Sequence, residues 1–199
     1  MPKEGKARVL TSSEFKRLIT IAKNAQYGRR NVAIVYCSFG LGLRAKEIAS
    51  LKISDIFDDQ LNILEEVNLT RSMTKGEKQR HIYINHPRII EAFTEHLVDM
   101  QKEQSPYFKY NGHLFLTQCK SRFTPDAMQK WFSRLFQRAG IKGASSHSGR
   151  RTFITRLIEQ GADIKAVSNL AGHASITTTA GYVDSNPDRL KRIANLAVF

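Results

Sequence analysis

Most of the chain places apolar residues three or four positions apart, which is the spacing of one face of an α-helix. The first such segment follows Thr11–Glu14, a capping box in which a threonine precedes a glutamate by three residues. Residues 32–41 are apolar nearly all round and predict a buried central helix. Glycines at positions 40 and 42 interrupt it, and another amphipathic helix begins at about Arg44.

Between Asp59 and Ile84, apolar residues no longer recur every three or four positions but at every second position. Apolar residues alternate at 61–63, at 67–69 and again at 81–84, and the polar segment Thr74–Lys78 precedes the last run. This pattern predicts a small antiparallel sheet whose exposed hairpin tip is Thr74–Lys78. Helical spacing then resumes and predicts helices at Pro87–Lys102, Pro125–Ala139, His147–Gln160, Asp163–Ala171 and Pro187–Ala197. The predicted fold class is therefore mainly α with a small antiparallel β-sheet (α+β).

The charge balance narrows the choice of partner. The 199 residues are 41% hydrophobic, enough for a sizeable core, and they include 31 Lys and Arg against 18 Asp and Glu, a net charge of +13. Residues 100–156 alone hold 11 basic and two acidic residues. Such an excess favours a polyanionic partner, either nucleic acid or an anionic membrane surface. No apolar stretch approaches the roughly 20 residues that span a bilayer, so we expect a cytoplasmic protein that binds nucleic acid.

Cysteine usage and acidic residues exclude two further classes of site. Cys37 and Cys119 form no C-x-x-C pair, so neither a disulfide framework nor a zinc or redox motif is indicated. The sequence shows no cluster of Asp, Glu and His at metal-ligand spacing. We therefore expect neither a metal nor another cofactor.

Two early segments carry residues suited to phosphate chemistry. Arg44 enters a helix after a glycine-containing turn, where backbone N–H groups and the helix dipole favour an anion, and Glu47 lies one turn on, close enough to orient the guanidinium. Lys75 lies at the hairpin tip, from which it can give a proton to a leaving oxygen, although Lys78 competes for that role. Taken singly, a solvated ion pair and a solubilising lysine are the simpler interpretations.

Two later segments add proton-transfer and nucleophilic groups. His147 and Arg150 are three residues apart and project to one side of a helix. Histidine moves protons and arginine offers a fixed fork of donors, which together suit a phosphodiester. Gly172-His173 is followed nine residues later by Tyr182, and a phenol on such a segment can act as a nucleophile. Taken singly, this histidine and tyrosine are more often capping and packing residues.

Together these positions resemble the active-site pattern of the tyrosine recombinases, the phage integrase family of site-specific DNA recombinases. The resemblance extends from about Thr11 to Tyr182. It includes a Gly-Leu-Arg-x-x-Glu turn, a Thr-Lys-Gly-x-Lys hairpin, a His-x-x-Arg helix and the Gly-His to Tyr spacing. Six positions in one order are far more specific than any one of them. Arg151 departs from the pattern, since many relatives carry a second histidine there.

The resemblance implies the catalytic-domain fold of that family. It also implies cleavage and rejoining of DNA through a 3′-phosphotyrosyl intermediate, without metal or ATP. Tyr182 would be the nucleophile. Arg44 and Arg150 would clamp the scissile phosphate, and His173 would add a hydrogen bond to it.

The remaining implied roles concern proton transfer and DNA contact. Lys75 would protonate the leaving 5′-oxygen, His147 would assist proton transfer at the tyrosine, and Glu47 would hold the active-site arginine. Phosphate-backbone contacts are expected from basic residues along the second half of the chain and the hairpin. These DNA-binding candidates are Lys78, Lys120, Arg122, Lys130, Arg134, Arg138 and Arg151.

The same resemblance sets expectations for domains and partners. We expect a basic arm at 1–10, a catalytic domain at 11–185 and a C-terminal helix at 186–199, which either is exchanged between protomers or packs on its own core. Relatives usually carry an additional N-terminal domain that clamps DNA. The chain is therefore a fragment or a short member without that domain, and the initiating Met1 favours the short member. Expected partners are double-stranded DNA, copies of the chain in a tetrameric synapse and DNA-bending accessory proteins.

Two other functions remain open from the sequence. A type IB topoisomerase uses a similar residue set on a single duplex, and a non-catalytic DNA-binding or regulatory module would keep the fold. A metal-dependent nuclease is disfavoured because it needs a carboxylate cluster. The sequence leaves integration, excision and inversion, as expected for a mobile genetic element, equally open.

Overall fold

In the computed structural model, which describes residues 7–71, 73, 79–104 and 108–182, helices dominate and two short strands form the sheet. The elements in these ranges are α1 (Ser12–Lys23), α2 (Gly28–Phe39), α3 (Ala45–Ser50), α4 (Ile53–Ile56), β1 (Glu66–Leu69), β2 (Arg80–Tyr83), α5 (Pro87–Gln104), α6 (Pro125–Arg138), α7 (Ser148–Glu159), α8 (Ile164–Ala171) and α9 (Ile176–Ala180). The predicted fold class is confirmed. The predicted helix Pro187–Ala197 and the hairpin tip with Lys75 and Lys78 lie outside the described residues.

Helix α2 is the centre of the main core, as its apolar sequence predicted. It packs against α1, α5 and α7, and Cys37 is fully buried in it. The helix begins at Gly28, four residues before the apolar run. The buried Asn31 ties this first turn to the preceding segment, because its side chain donates to the Gln26 carbonyl at 2.8 Å. The predicted capping box is also present, with the Thr11 side chain accepting from the Glu14 N–H.

Only part of the alternating region forms the sheet. Strands β1 and β2 pair antiparallel with Val67 opposite Ile82. The prediction that the alternating residues Leu61 and Ile63 belong to the sheet is wrong. Asp58 accepts backbone N–H groups from Gln60 and Asn62 there, which makes a turn, and only a single bridge joins Ile63 to Phe57. Local side-chain bonds thus outweigh the apolar pattern at this point.

A second, smaller apolar cluster lies between α7 and α8. Its buried members are Ile154, Ile158, Val167 and Ala171, and the half-buried Tyr182 packs against it. Helix α7 begins directly after His147, in agreement with the prediction, and α9 is a short helix just before Tyr182. This cluster holds the segment that carries the predicted nucleophile.

The last residues of the predicted N-terminal arm are packed on the domain. Leu10 is buried and its backbone N–H donates to the Thr152 hydroxyl of α7 at 3.0 Å. Arg8 donates to the Lys142 carbonyl at 2.9 Å. Residues 7–10 therefore continue the domain toward the N-terminus.

Candidate active site

One cleft of about 870 Å³ contains five of the six predicted catalytic side chains. These five residues are Arg44, His147, Arg150, His173 and Tyr182. They come from the start of α3, the start of α7 and the segment around α9, which are far apart in the sequence. The sixth, Lys75, lies outside the described residues. The fold thus gathers the predicted constellation around one solvent-accessible hollow.

Arg44 lines this cleft, and the buried Glu47 holds it from behind. Arg44 precedes α3, and the fully buried Glu47 carboxylate accepts its backbone N–H and its Nη1, both at 2.8 Å. Glu47 also accepts Nη2 of Arg80 at 2.6 Å. Burial alone raises the pKa of Glu47, but Arg80, the Arg44 N–H and the Arg44 guanidinium outweigh it and leave this pKa below its ordinary value. The carboxylate is therefore ionised and holds two guanidinium groups in place.

Arg80 was missed by the sequence analysis. It is a buried arginine on β2 that bonds the Glu47 carboxylate and the Leu170 carbonyl. The signal was present, because Arg80 shares the inward phase of the alternating strand with the buried Ile82 and Ile84. A charged residue at an inward position needs a buried partner. Arg80 therefore links strand β2 to the Glu47 carboxylate, which also holds Arg44.

Arg150 is fixed by backbone carbonyls on two sides. Its Nη1 donates to the Gly42 carbonyl at 2.8 Å, and its Nη2 donates to the Ala171 carbonyl. Burial, followed by the nearby Arg44 and Arg80, lowers the pKa of Arg150 to about 9. The guanidinium groups of Arg44, Arg80 and Arg150 lie close together, and the Glu47 carboxylate lies between the first two. Because positive charge is in excess here, binding of an anion in the cleft is strongly favoured.

The C-terminal end of α8 receives all three arginines. Arg80, Arg150 and Arg44 donate in turn to the successive carbonyls of Leu170, Ala171 and Gly172. These carbonyls have no partner within the helix and lie at its negative end, so they attract cations. Gly172 ends α8 with a φ of +61°, and a Cβ there would overlap Cδ of Arg80. The glycine allows this close approach and directs the chain into His173.

His173 and Tyr182 meet at the wall of the cleft. Their rings stack with centroids 5.9 Å apart and planes 19° apart. Nδ1 of His173 lies 2.8 Å from the Thr179 hydroxyl, a contact that the sequence analysis did not foresee. Burial, with Arg150, Arg44 and Arg80, lowers the pKa of His173 to about 4. The imidazole is therefore neutral at pH 7.

The predicted DNA-contact residues are spread over several surfaces. Arg151 lines the cleft, with its guanidinium carbon 5.7 Å from the centre of the Tyr182 ring. Lys120 pairs with Glu103 and Arg122 is exposed, both away from the cleft lining. Lys130, Arg134 and Arg138 line a separate groove beside α6. Arg30, which the sequence analysis missed, lies in that groove with its guanidinium carbon 4.4 Å from the Tyr27 ring centre. Of this set only Arg151 adjoins the candidate catalytic residues, and Lys78 lies outside the described residues.

Two kinds of feature are absent from the described residues. None of the helices there is both long and apolar enough to cross a membrane. In the same ranges, no group of three or more His, Cys, Asp or Glu residues is arranged to hold a metal ion.

Comparison with known sequences finds one family. A sequence profile described as "Phage integrase family" matches residues 8–189. The tyrosine recombinase XerA of Pyrococcus furiosus is 31% identical over 188 residues, which are 94% of this chain and 61% of that protein. The tyrosine recombinase XerD of Oceanobacillus iheyensis is 30% identical over 189 residues, 92% of this chain and 59% of that protein. The chain thus spans roughly three fifths of the length of these relatives.

Solved structures share the fold. A crystal structure of XerA recombinase matches with a TM-score of 0.75 and 27% identity, over 96% of this chain and 65% of that one. The catalytic domain of bacteriophage HP1 integrase matches with a TM-score of 0.66 and 22% identity, over 96% of each chain. XerH recombinase bound to a palindromic difH substrate matches with a TM-score of 0.72 and 24% identity, over 96% of this chain and 53% of that one. The last two identities are low and establish the fold alone.

Proposed function

The chain belongs to the phage integrase family, and we propose that it is a tyrosine-type site-specific recombinase that cleaves and rejoins double-stranded DNA. The observation that carries this proposal is the meeting of two arginines, two histidines and a tyrosine at one cleft. The similar XerA and XerD proteins are named tyrosine recombinases, and XerH was solved bound to a difH substrate. The net charge of +13 suits a DNA substrate.

The arginines are arranged to stabilise a phosphorane-like transition state. Arg44 and Arg150 donate to the non-bridging oxygens of the scissile phosphate, and His173 adds a third donor. Glu47 and the carbonyl bonds hold the guanidinium groups before DNA binds, so little reorganisation is needed as charge develops. Loss of one such donor costs about 10²- to 10³-fold in rate.

The chemical step replaces one phosphoester bond with another, so the DNA phosphate is not lost to hydrolysis. Tyr182 Oη attacks phosphorus, an Oη–P bond forms and the P–O5′ bond breaks. The phenolic proton passes to His147, and the leaving 5′-oxygen takes a proton from Lys75. A 5′-hydroxyl from another strand then attacks the phosphotyrosine, which releases Tyr182 and restores a phosphodiester. Neither ATP nor a metal ion is consumed in this exchange.

The proposed partners follow from the reaction. Strand exchange between two sites requires several active sites, which a tetramer of this chain on DNA supplies. Residues 186–199 are proposed as a helix exchanged between protomers, DNA-bending proteins as accessory partners and the nucleoid as the location. The catalytic domain is proposed to comprise residues 11–185, with residues 7–10 packed on it.

The test traps the covalent intermediate. The probe is a pool of DNA duplexes with randomised sequence on both sides of one fixed phosphate. Each duplex has a nick close to that phosphate, so the short 5′-hydroxyl fragment diffuses away after cleavage. We expect a protein–DNA band on a denaturing gel, unchanged by EDTA, and a phosphotyrosine at Tyr182 in the tryptic digest. Tyr182→Phe removes only the hydroxyl and abolishes the band, whereas Tyr83→Phe, at an exposed tyrosine on β2, retains it.

The outcomes separate the alternatives. Binding of the pool without any adduct indicates a non-catalytic DNA-binding module. An adduct at another residue overturns the site assignment. Once sequencing of the trapped strands gives a preferred site, plasmids with one and two copies distinguish relaxation of a single duplex, typical of a topoisomerase, from recombination between sites.

A further inference from the structure

Thr179 contacts both His173 and the residue proposed as nucleophile. It lies on α9 and is fully buried. Its hydroxyl is 2.8 Å from Nδ1 of His173, and its backbone carbonyl accepts the N–H of Tyr182 at 3.0 Å. One residue therefore touches the two groups whose rings stack at the cleft wall.

The direction of the hydrogen bond between the Thr179 hydroxyl and Nδ1 decides whether Nε2 of His173 is a donor or an acceptor in the cleft. A neutral imidazole carries one proton, either on Nδ1 or on Nε2. If the threonine hydroxyl donates to Nδ1, the proton resides on Nε2, which can then donate to a phosphate oxygen. If Nδ1 donates to the hydroxyl instead, Nε2 presents a lone pair and repels that oxygen.

The surroundings favour a neutral His173 ring. Burial and the three neighbouring arginines lower the pKa of His173 to about 4, so a second ring proton is absent at pH 7. A neutral ring in the wrong tautomer cannot recover its function by taking up a proton. Because of this, the tautomer must be set by a neighbour, and the Thr179 hydroxyl is the group in contact with Nδ1.

We propose that Thr179 is a positioning residue that fixes His173 as the Nε2–H tautomer and holds it against Tyr182. This inference rests on the proposed recombinase function, because a donating Nε2 matters for a phosphate in the cleft. Loss of the hydroxyl frees the ring to flip and to change tautomer. The stacked phenol then loses the neighbour that defines its position.

The test compares Thr179→Val, which keeps the shape, with Thr179→Ser, which keeps the hydroxyl. Adduct formation is measured in a single turnover on the trapped duplex selected from the nicked pool. We expect Thr179→Val to lower the rate about 10- to 100-fold, by analogy with the loss of contacts that fix the tautomer of metal-bound histidines. Thr179→Ser restores most of the rate. Thr20→Val, at an exposed threonine that bonds within α1, leaves the rate unchanged.

A second measurement needs no DNA. Long-range ¹H–¹⁵N correlation spectra of the free wild-type protein report which ring nitrogen of His173 carries the proton. We expect an unprotonated Nδ1 and a protonated Nε2, and a mixture of tautomers in Thr179→Val. A purely structural threonine would change the unfolding midpoint of the variant without changing this signature.

The outcomes separate this inference from the proposed function. A protonated Nδ1 in the wild type overturns the inference, and so does a Thr179→Val protein that forms adduct at the wild-type rate. If the wild type forms no adduct with any probe, the proposed function fails. The spectra of the free protein still decide the tautomer in that case.

Discussion

Replacing Glu47 with glutamine tests whether this carboxylate organises the site. The side chain is wholly buried and accepts from the backbone and Nη1 of Arg44 and from Nη2 of Arg80. Glutamine keeps the shape but has one oxygen instead of two, and its NH₂ group must face a guanidinium donor. The substitution therefore leaves Arg44 and Arg80 beside Arg150 without the negative charge that offsets them.

The expected loss of stability is large. Breaking a buried ion pair by removing one partner costs about 3–5 kcal/mol, because the remaining charge stays buried. For a chain of this size 1 kcal/mol corresponds to about 2–4 °C in Tm, so Tm should fall by roughly 6–20 °C. The assay is unfolding by urea and by heat, followed by circular dichroism at pH 7. Glu66→Gln is the matched control, since this exposed glutamate pairs with His81 at the surface and should change stability by less than about 0.5 kcal/mol.

The contribution of Glu47 to the free energy of unfolding depends on pH in a defined direction. The pKa of folded Glu47 lies below its ordinary value of 4.5, so the unfolded chain binds the proton more readily. The stabilisation is fully present above pH 4.5 and is lost as the pH falls through the lowered pKa. The difference between wild type and Glu47→Gln should therefore narrow in acid. A loss below about 1 kcal/mol at pH 7, or a difference that stays constant into acid, refutes the argument.

Three further predictions concern neighbouring residues. Arg150→Lys keeps the charge but loses the fork that bonds two carbonyls. Adduct formation in a single turnover should fall about 10²- to 10³-fold, and the unsatisfied carbonyl should also lower the free energy of unfolding by about 1–3 kcal/mol. Gly172→Ala should cost about 2–4 kcal/mol in urea unfolding, because its Cβ overlaps Arg80, whereas Gly140→Ala, at a similar φ with no atom within 4 Å, should cost about 1–2 kcal/mol. The ring proton of His173, followed by NMR, should titrate near pH 4, and a midpoint above pH 6 would contradict its burial among cations.

The sequence predicted the helices and the members of the cleft well. An apolar run located α2, helical spacing located α7, and a capping box marked the start of α1. The cleft residues were recognisable because their order and spacing match a known pattern, although periodicity alone could not bring them together. Their convergence depends on how α3, α7 and α8 pack.

The partners of two buried side chains were not predictable. The strand pattern marks Arg80 as inward-facing but does not show that it bonds Glu47, 33 residues away. Thr179 bonds the His173 ring nitrogen, and a threonine-rich segment gives no sign of which hydroxyl does so. The basic residues were assigned to DNA by charge alone, yet Lys130 and Arg134 line a groove separate from the cleft. Net charge indicates a partner but carries no information about which face meets it.

The small cluster between α7 and α8 has a consequence for local motion. Among the described residues, the fully buried apolar contact between α8 and α7 consists of four side chains, whereas α2 lies within the larger main core. Regions with few apolar contacts open at a lower free energy than the whole domain. Amide hydrogens of α8 and α9 should therefore exchange with solvent well before those of α2. The segment that carries Tyr182 should therefore open at a lower free energy than the main core, while α2 stays folded.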